Sequence, residues 1–545
     1  MPLISRISLL SPRNIQPKVW GYGCFGLAIA ISVIDVLFQG NTLVNPQGWE
    51  TFWRFWGAAL QPDLTADFLQ LTLQASLTTF AYAVCGTFLS LILGTVGGLL
   101  SAKLIWETLF PQGRGLVGAG LRTCLAVPRA IHEVVWGLIL INCWGLDPVV
   151  ALGAIAIPFG AIVAKIFAEI IDETPRAGFT ALIHSGVPIP QAFLYGILPQ
   201  ALFNLLSYSF YRFECSLRSA AVLGIIGAGG LGYEIYLSLQ SLRYQQLWTL
   251  FYALILLNGV VDWSSRLLRV QLGCASRLDL NRRQYQVGFR RRNWLLGTAG
   301  FSLALVLWGF WYVQPDWARL WSGQGQRFLG EVVTQLQRLS LHLEQLGNLG
   351  LLSIQTLEMS ILAIALAGLG GLVLAFLTAK DQGPLPLPLR LLGHLVLLVC
   401  RSIPAPIWAL VSVFVLFPGI LPGAIALGVH NLGILGRLMT EVIENVPPAP
   451  LNALRSLGSR EVNVWLYGTV PLTLPNFIAY SFYRWEVCLR ETVIVGLVGA
   501  GGLGRLLTEQ LSSFDYGGIC LTLLCFLALT WVVDSFSGFL RQNPR

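Results

Sequence analysis

Glu214 and Arg218 stand four residues apart in an apolar stretch, and Glu486 and Arg490 repeat that spacing. On a helix each pair shares one face. Unpaired charge in hydrocarbon is costly, so these groups are expected to face a protein interior and to partner one another. Arg212 and Arg484 flank them. One reading is a permanent intrahelical salt bridge. The other is a positive field along a pathway, formed by Arg218 and Arg490 with Arg129 and Arg401. A guanidinium fork donates two hydrogen bonds to an oxyanion at once and keeps its charge. Along a pathway such groups lower a barrier without trapping the anion.

Other chemistry is sparse. His132, His184, His342, His394 and His430 are scattered without His-x-x-x-His spacing, so no metal site is expected. The ten cysteines contain no Cys-x-x-Cys pair and read as small core- or lipid-facing residues. No Gly-x-x-x-x-Gly-Lys-Ser/Thr occurs, so no ATP site is expected in this chain. Gly227, Gly229, Gly230 and Gly232 do satisfy Gly-x-Gly-x-x-Gly, as do Gly499, Gly501, Gly502 and Gly504. That fingerprint holds a pyrophosphate only after a strand in a βαβ unit, whereas an apolar span precedes it here. A break in the span near the outer face is expected instead, acting as a gate where irregular backbone lines a cavity.

The elements that must position these residues are membrane spans. Apolar types make up 55% of 545 residues, Asp, Glu, Lys and Arg only 11%, and mean hydropathy is +0.67. Soluble proteins carry about 25% charged residues. The apolar excess must face lipid, which excludes a soluble enzyme, a nucleic-acid-binding module and a disulfide scaffold.

The chain also repeats itself. Leu194-Tyr195-Gly196 recurs as Leu466-Tyr467-Gly468, and Ser209-Phe210-Tyr211-Arg212 as Ser481-Phe482-Tyr483-Arg484. Both keep the offset of 272 that separates Gly227 from Gly499. Arg129-Ala130-Ile131 with Trp136, and Val260-Val261-Asp262, match Arg401-Ser402-Ile403 with Trp408, and Val532-Val533-Asp534, in the same register. Upstream, Ser101-Ala102-Lys103 matches Thr378-Ala379-Lys380 at an offset of 277. A register held this far marks a duplicated and fused unit. Residues 1–265 form the first repeat, 266–293 a basic linker and 294–545 the second repeat.

Six spans are predicted in each half, near 19–38, 70–100, 120–142, 149–171, 200–226 and 246–264, then 294–313, 351–379, 393–417, 423–443, 472–498 and 518–540. The first is read as an uncleaved helix, not a signal peptide. Six being even, the halves run in the same direction: an all-α polytopic protein of about twelve helices in two parallel repeats. Arg266, Arg269, Arg277, Arg282, Arg283, Arg290, Arg291 and Arg292 face only Asp279 in the linker, and both termini are basic. The positive-inside rule then puts linker and termini in the cytoplasm, and anionic lipid accounts for the basic stretch without nucleic acid.

That topology leaves residues 172–199 and 444–471 on the inside. Ala181-Leu182, Gly186 and Leu198-Pro199 recur as Ala453-Leu454, Gly458 and Val470-Pro471, with 13 residues from Gly to Pro in both copies. Glycine permits a turn at positive φ and proline suits the first turn of the next helix. A helix–turn–helix on the membrane face, free to dock a soluble partner, is expected.

These loops resemble the coupling loop of ABC importer permeases. The stretch from Tyr211-Arg212-Phe213-Glu214 through Arg218 to Gly232, with its copy from Tyr483 to Gly504, resembles the phosphonate-transport permease family more specifically. The Arg-x-Ile elements followed by Trp136 and Trp408 fit that family as well. The resemblance implies a permease subunit in a bacterial-type inner membrane, importing a phosphonate, phosphite or phosphate. It implies two copies of a separate ATPase carrying ATP and Mg, and an extracytoplasmic substrate-binding protein. Where such permeases commonly place an acidic residue before the Ala pair, this chain has Thr180 and Asn452, and His132 stands opposite Pro404. The rival expectations are a twelve-helix secondary transporter driven by an ion gradient, against which the repeated coupling loop argues, and a membrane-embedded enzyme, for which no catalytic cluster is visible.

Overall fold

The computed structural model describes residues 12–38, 44–109, 116–272, 289–337, 343–379 and 386–541. Most of the basic linker, Cys274, His342, Lys380 and the outermost residues of both termini lie outside the described residues. Every regular element among the described residues is helical, as hydrocarbon requires of a backbone that has no water to bond.

The first repeat begins with α1 (Pro12–Phe38), α2 (Gly48–Gly57), α3 (Ala66–Ser101), α4 (Lys103–Leu109), α5 (Leu116–Ala130) and α6 (Glu133–Trp144). It continues with α7 (Pro148–Glu173), α8 (Ala177–His184), α9 (Ile189–Ala192), α10 (Leu198–Leu223), α11 (Leu231–Gln240) and α12 (Tyr244–Leu272). The second begins with α13 (Phe289–Val313), α14 (Gly323–Gln337), α15 (Leu343–Thr378), α16 (Leu387–Ser402), α17 (Ala405–Val415) and α18 (Ile420–Glu444). It ends with α19 (Pro448–Ser456), α20 (Glu461–Val464), α21 (Val470–Leu497), α22 (Gly502–Ser512) and α23 (Tyr516–Arg541).

Eight described helices are long and apolar enough to cross a membrane, and the pairs α5–α6 and α16–α17 bring the number to ten. α1, with its apolar stretch Trp20–Val36, and α21, the repeat counterpart of α10, occupy the remaining two of twelve predicted positions. The third span departs from expectation. Sequence predicts one continuous helix there, but it bends by 84° between α5 and α6 and by 98° between α16 and α17. Each bend is braced by an indole: Trp136 Nε1 donates to Pro128 O and Trp408 Nε1 to Cys400 O, both at 3.3 Å. His132 Nδ1 accepts from Val134 N and caps α6. Pro404 offers no such cap, and His430 instead bonds Ile403 O at 3.0 Å.

A bent helix pair can either cross the bilayer or return to its starting side. Packing decides between them. Gly86, Gly94 and Gly98 of α3 lie against Ile155, Val163 and Phe167 of α7, so residue numbers rise together and the helices are parallel. In the second repeat Met359, Leu366 and Gly371 of α15 meet Gly423, Gly428 and Gly436 of α18 in the same sense. The chain must therefore recross between the parallel helices, and the bent pair does so. Missing side chains allow this close approach, the usual device where no hydrophobic drive joins helices in lipid.

The chain divides into two compact units, residues 57–331 and residues 1–56 with 332–545. Compact unit and sequence repeat are different divisions, because the leading span of each repeat packs in the unit built mostly from the other. Phe25 of α1 sits 5.0 Å, centroid to centroid, from both Phe482 and Trp485 of α21. Trp308 and Phe310 of α13 lie 6.1 Å from Phe80 and Phe88 of α3 respectively. Deleting residues 1–38 is accordingly expected to make α21–α23 protease-sensitive while 57–331 stays protected, read by limited proteolysis in detergent.

Candidate functional site

The elbows between the fourth and fifth spans fold as the spacing predicts. α8 closes on Gly186 (φ +82°) and α19 on Gly458 (φ +77°). Val187 N donates to Leu182 O and Gly186 N to Ile183 O, at 3.1 and 3.0 Å; Ser459 N and Gly458 N do the same to Leu454 O and Arg455 O. This double closure satisfies the last carbonyls of a helix when a left-handed residue follows it. Phe179 and Leu451 are buried beneath the elbows. Gly196 and Gly468 let them approach, since a Cβ at Gly196 would stand 2.9 Å from Phe179 Cα and one at Gly468 2.7 Å from Leu451 Cδ2. Ala181, Gly186, Pro199, Ala453, Gly458 and Pro471 are exposed, while Leu182, Leu454, Leu198 and Val470 are half-buried at the bases. Tyr195 and Tyr467, read in the sequence only as markers of the repeat, add two exposed rings.

The elbows differ in charge. Thr180 Oγ1 turns inward to Arg176 O at 2.6 Å. Asn452 accepts from Arg455 Nη1 at 3.2 Å, and the same guanidinium holds Glu461 at 2.9 and 3.2 Å. A carboxylate thus stands one guanidinium away from Asn452, and the hydrogen bond from Arg455 holds its pKa below the usual glutamate value. That pair therefore persists as pH falls through the range where a free glutamate takes up a proton, and is lost only below it. In the first elbow Arg176 pairs with Glu107 of α4 at 2.8 Å.

The glutamates of the fifth spans also reach beyond their own helix, each taking an ion pair from the next span. Glu214 Oε1 accepts from Ser265 Oγ at 2.5 Å and Arg269 Nη2 at 3.0 Å. Glu486 accepts from Ser537 Oγ at 2.6 Å and from Arg541. Arg266 and Arg269, assigned by sequence to the linker, lie within α12, and the half-buried Arg269 pairs with the buried Glu214. Arg218 Nη2 donates to Cys215 Sγ at 3.5 Å and feels the charges of Asp262 and Glu214; Arg490 Nε donates to Glu486 O at 3.3 Å. Arg212 lies over Phe159 at 3.8 Å, whereas its counterpart Arg484 bonds Asn431 and Glu491. Arg129 and Arg401 are half-buried in the last turns of α5 and α16, at the corners of the broken spans.

The glycine segments do break the path after the fifth span. Gly227, Gly229 and Gly230 have φ of +101°, +84° and +75°, and Gly499, Gly501 and Gly502 of +91°, +84° and +67°. A helix, not a strand, precedes each segment. Gly232 and Gly504 allow α11 and α22 to fold back: a Cβ at Gly232 would overlap Ala221 O, and one at Gly504 would stand 2.8 Å from Val493 O. Both breaks are pinned by a threonine of the second span. Leu231 N donates to Thr79 Oγ1 at 2.8 Å and Leu503 N to Thr356 Oγ1 at 2.9 Å. Gly227 and Ala228 line a cavity of about 110 Å³ together with Tyr82, Gly137, Leu223 and Asp147. Asp147, missed from sequence, caps α7 through Val149 N and pairs with Arg319 at 3.2 Å.

Membrane-crossing helices in a duplicated order, with matched elbows and matched glycine breaks, define a polytopic helical membrane protein built from two permease-like repeats. Residues 94–270 and 371–545 each match the sequence profile of the binding-protein-dependent transport system inner membrane component, and the chain belongs to that family. The phosphate-import permease protein PhnE of Mycolicibacterium smegmatis is 24% identical over 467 residues, 85% of this chain and 84% of the relative. The phosphite transport system permease protein PtxC of Stutzerimonas stutzeri is 38% identical over 190 residues, 35% of this chain and 69% of the relative. The putative cryptic phosphonate transport system permease protein PhnE2 of Escherichia coli is 34% identical over 119 residues, 22% of this chain and 98% of the relative. Family membership supports a binding-protein-dependent importer over a gradient-driven secondary transporter, and with it ATPase and binding-protein partners in general.

Proposed function

We propose that this chain supplies two fused permease halves of the membrane pathway of an ATP-driven importer for a phosphorus oxyanion: phosphonate, phosphite or phosphate. Two ATPase subunits, carrying ATP and Mg, press on the elbows 172–199 and 444–471 from the cytoplasm, where both termini also lie. The movement passes along α10 and α21 and alternates access between the faces. A binding protein delivers the anion above the glycine segments, and Arg129, Arg401, Arg218 and Arg490 lower the barrier to its passage. The chain itself hydrolyses nothing.

The observation that carries this reading is the pair of exposed, identically closed elbows at Gly186 and Gly458, each leading into the Pro-started fifth span. The relatives named for phosphate, phosphite and phosphonate support the substrate class. Co-purification from membranes with a Walker-A ATPase, then uptake by proteoliposomes, tests it. ATP-dependent uptake of phosphonate, phosphite or phosphate is expected; gradient-driven uptake by the purified chain alone would overturn the reading. Within that assay, replacing Arg129 and Arg401 with Leu is expected to reduce uptake about ten-fold or more, as loss of a charge-assisted contact does, with the folded yield unchanged.

A further inference from the structure

The buried carboxylates of the fifth spans carry an inference that rests on the transport reading above. Glu214, Arg218, Asp262, Ser265 and Arg269 recur as Glu486, Arg490, Asp534, Ser537 and Arg541, the same five residue types at one offset of 272. The surroundings do not recur: Phe159 and Ser219 are replaced by Asn431 and Glu491. Glu214 is bonded by Ser265 and Arg269 of α12, and Glu486 by Ser537 and Arg541 of α23. A buried ion pair adds little net stability over well-packed apolar groups, and its best-attested use is to fix a register. Here the registers fixed are α10 against α12 and α21 against α23.

Those registers stand between two mobile parts of the transport cycle. α10 starts directly after the elbow, with Pro199 in its first turn, and runs 26 residues to the glycine break, about 39 Å at 1.5 Å per residue. It is one rod joining the docking turn to the gate. The covalent chain alone does not oblige α12 to follow it, because α11 and two turns intervene. We propose that Glu214–Ser265–Arg269 and Glu486–Ser537–Arg541 are positioning clamps that make the fifth and sixth spans of each repeat move as one body, so that force at the elbow reaches the glycine break instead of dissipating as slippage between spans.

The test uses the full chain with its co-purifying ATPase in proteoliposomes, with inorganic phosphate, phosphite and methylphosphonate as probes. Glu214→Gln with Glu486→Gln is expected to keep ATP hydrolysis while uptake per ATP hydrolysed falls about ten-fold, a coupling loss of ordinary size. Exchanging the charges, Glu214→Arg with Arg269→Glu and Glu486→Arg with Arg541→Glu, is expected to restore most of that ratio. A clamp that served only stability would lower hydrolysis and uptake together in proportion to the folded chain; that result, or an unchanged ratio, overturns the proposal. So does a folded charge-exchanged protein whose ratio stays low, which also covers a Gln variant that fails to fold. Absence of ATP-dependent uptake in the native complex removes the transport reading itself, a failure visible before any variant is made.

Discussion

Gly186→Trp combined with Gly458→Trp is expected to abolish association with the ATPase, and ATP-driven uptake with it, while membrane insertion stays intact. Each glycine sits at positive φ, +82° and +77°, with nothing of the chain within 4 Å of where a Cβ would point. A side chain there leaves the backbone through open space, and an indole would carry its bulk toward the face on which a docked subunit is proposed to sit. The left-handed conformation costs an L-residue roughly 1–2 kcal/mol, a strain that Gly186→Ala with Gly458→Ala would share. The alanine pair separates the two effects: it keeps the strain without the bulk and is expected to keep association. Pull-down of the ATPase with each variant measures this. Normal recovery and uptake in the tryptophan pair would remove the docking assignment.

Gly232→Ala is expected to be the most damaging single methyl group in the glycine segments, and Gly504→Ala distinctly milder. The added carbon at Gly232 would overlap the carbonyl oxygen of Ala221, a backbone atom in α10 that cannot rotate away, whereas at Gly504 the distance to Val493 O is 2.8 Å. Overpacking of this kind costs roughly 1–3 kcal/mol and more where backbone must shift. α11 would be pushed off α10, loosening the hydrogen bond from Leu231 N to Thr79 that pins the break. Thermal stability of the purified chain, followed by size-exclusion chromatography, should fall further for Gly232→Ala than for Gly504→Ala. The reverse order would mean that close approach of α11 to α10 and of α22 to α21 is not what these two glycines, neither at positive φ, provide.

Most of the fold was readable from short-range signals. Apolar run lengths gave the spans, a single offset gave the duplication, and Gly186, Gly458, Pro199 and Pro471 gave the elbows, because turn chemistry is local. The glycine breaks were equally visible, since three positive-φ residues in six admit little but glycine. The second partner of Glu214, on the next span, went unread for a physical reason. Spacing of i, i+4 says which side chains can meet on one helix, and nothing about a competitor on another. The competing partners lie 51 and 55 residues on. A usable signal was nevertheless present, for Ser265 and Arg269 recur as Ser537 and Arg541 in the register that had already matched Asp262 to Asp534. The bend in the third span was signalled less clearly: Pro404 marks it in one repeat, while the other turns at His132, and Pro128 lies within α5 before the turn.

Taken alone, the chain's residues determined that it lives in a bilayer, that it contains one unit twice, and where the backbone must turn. Composition, periodicity and glycine–proline placement act on neighbours along the chain, so order in sequence is enough to read them. Tertiary structure alone decided which span accompanies which. It exchanged the leading helices between the compact units, showed through parallel packing that the bent pairs cross, and gave each buried glutamate an arginine from the following span. Hydropathy is the same toward lipid as toward a neighbouring helix, so an apolar surface does not name its partner; only shape and buried charge, brought together in three dimensions, make that choice.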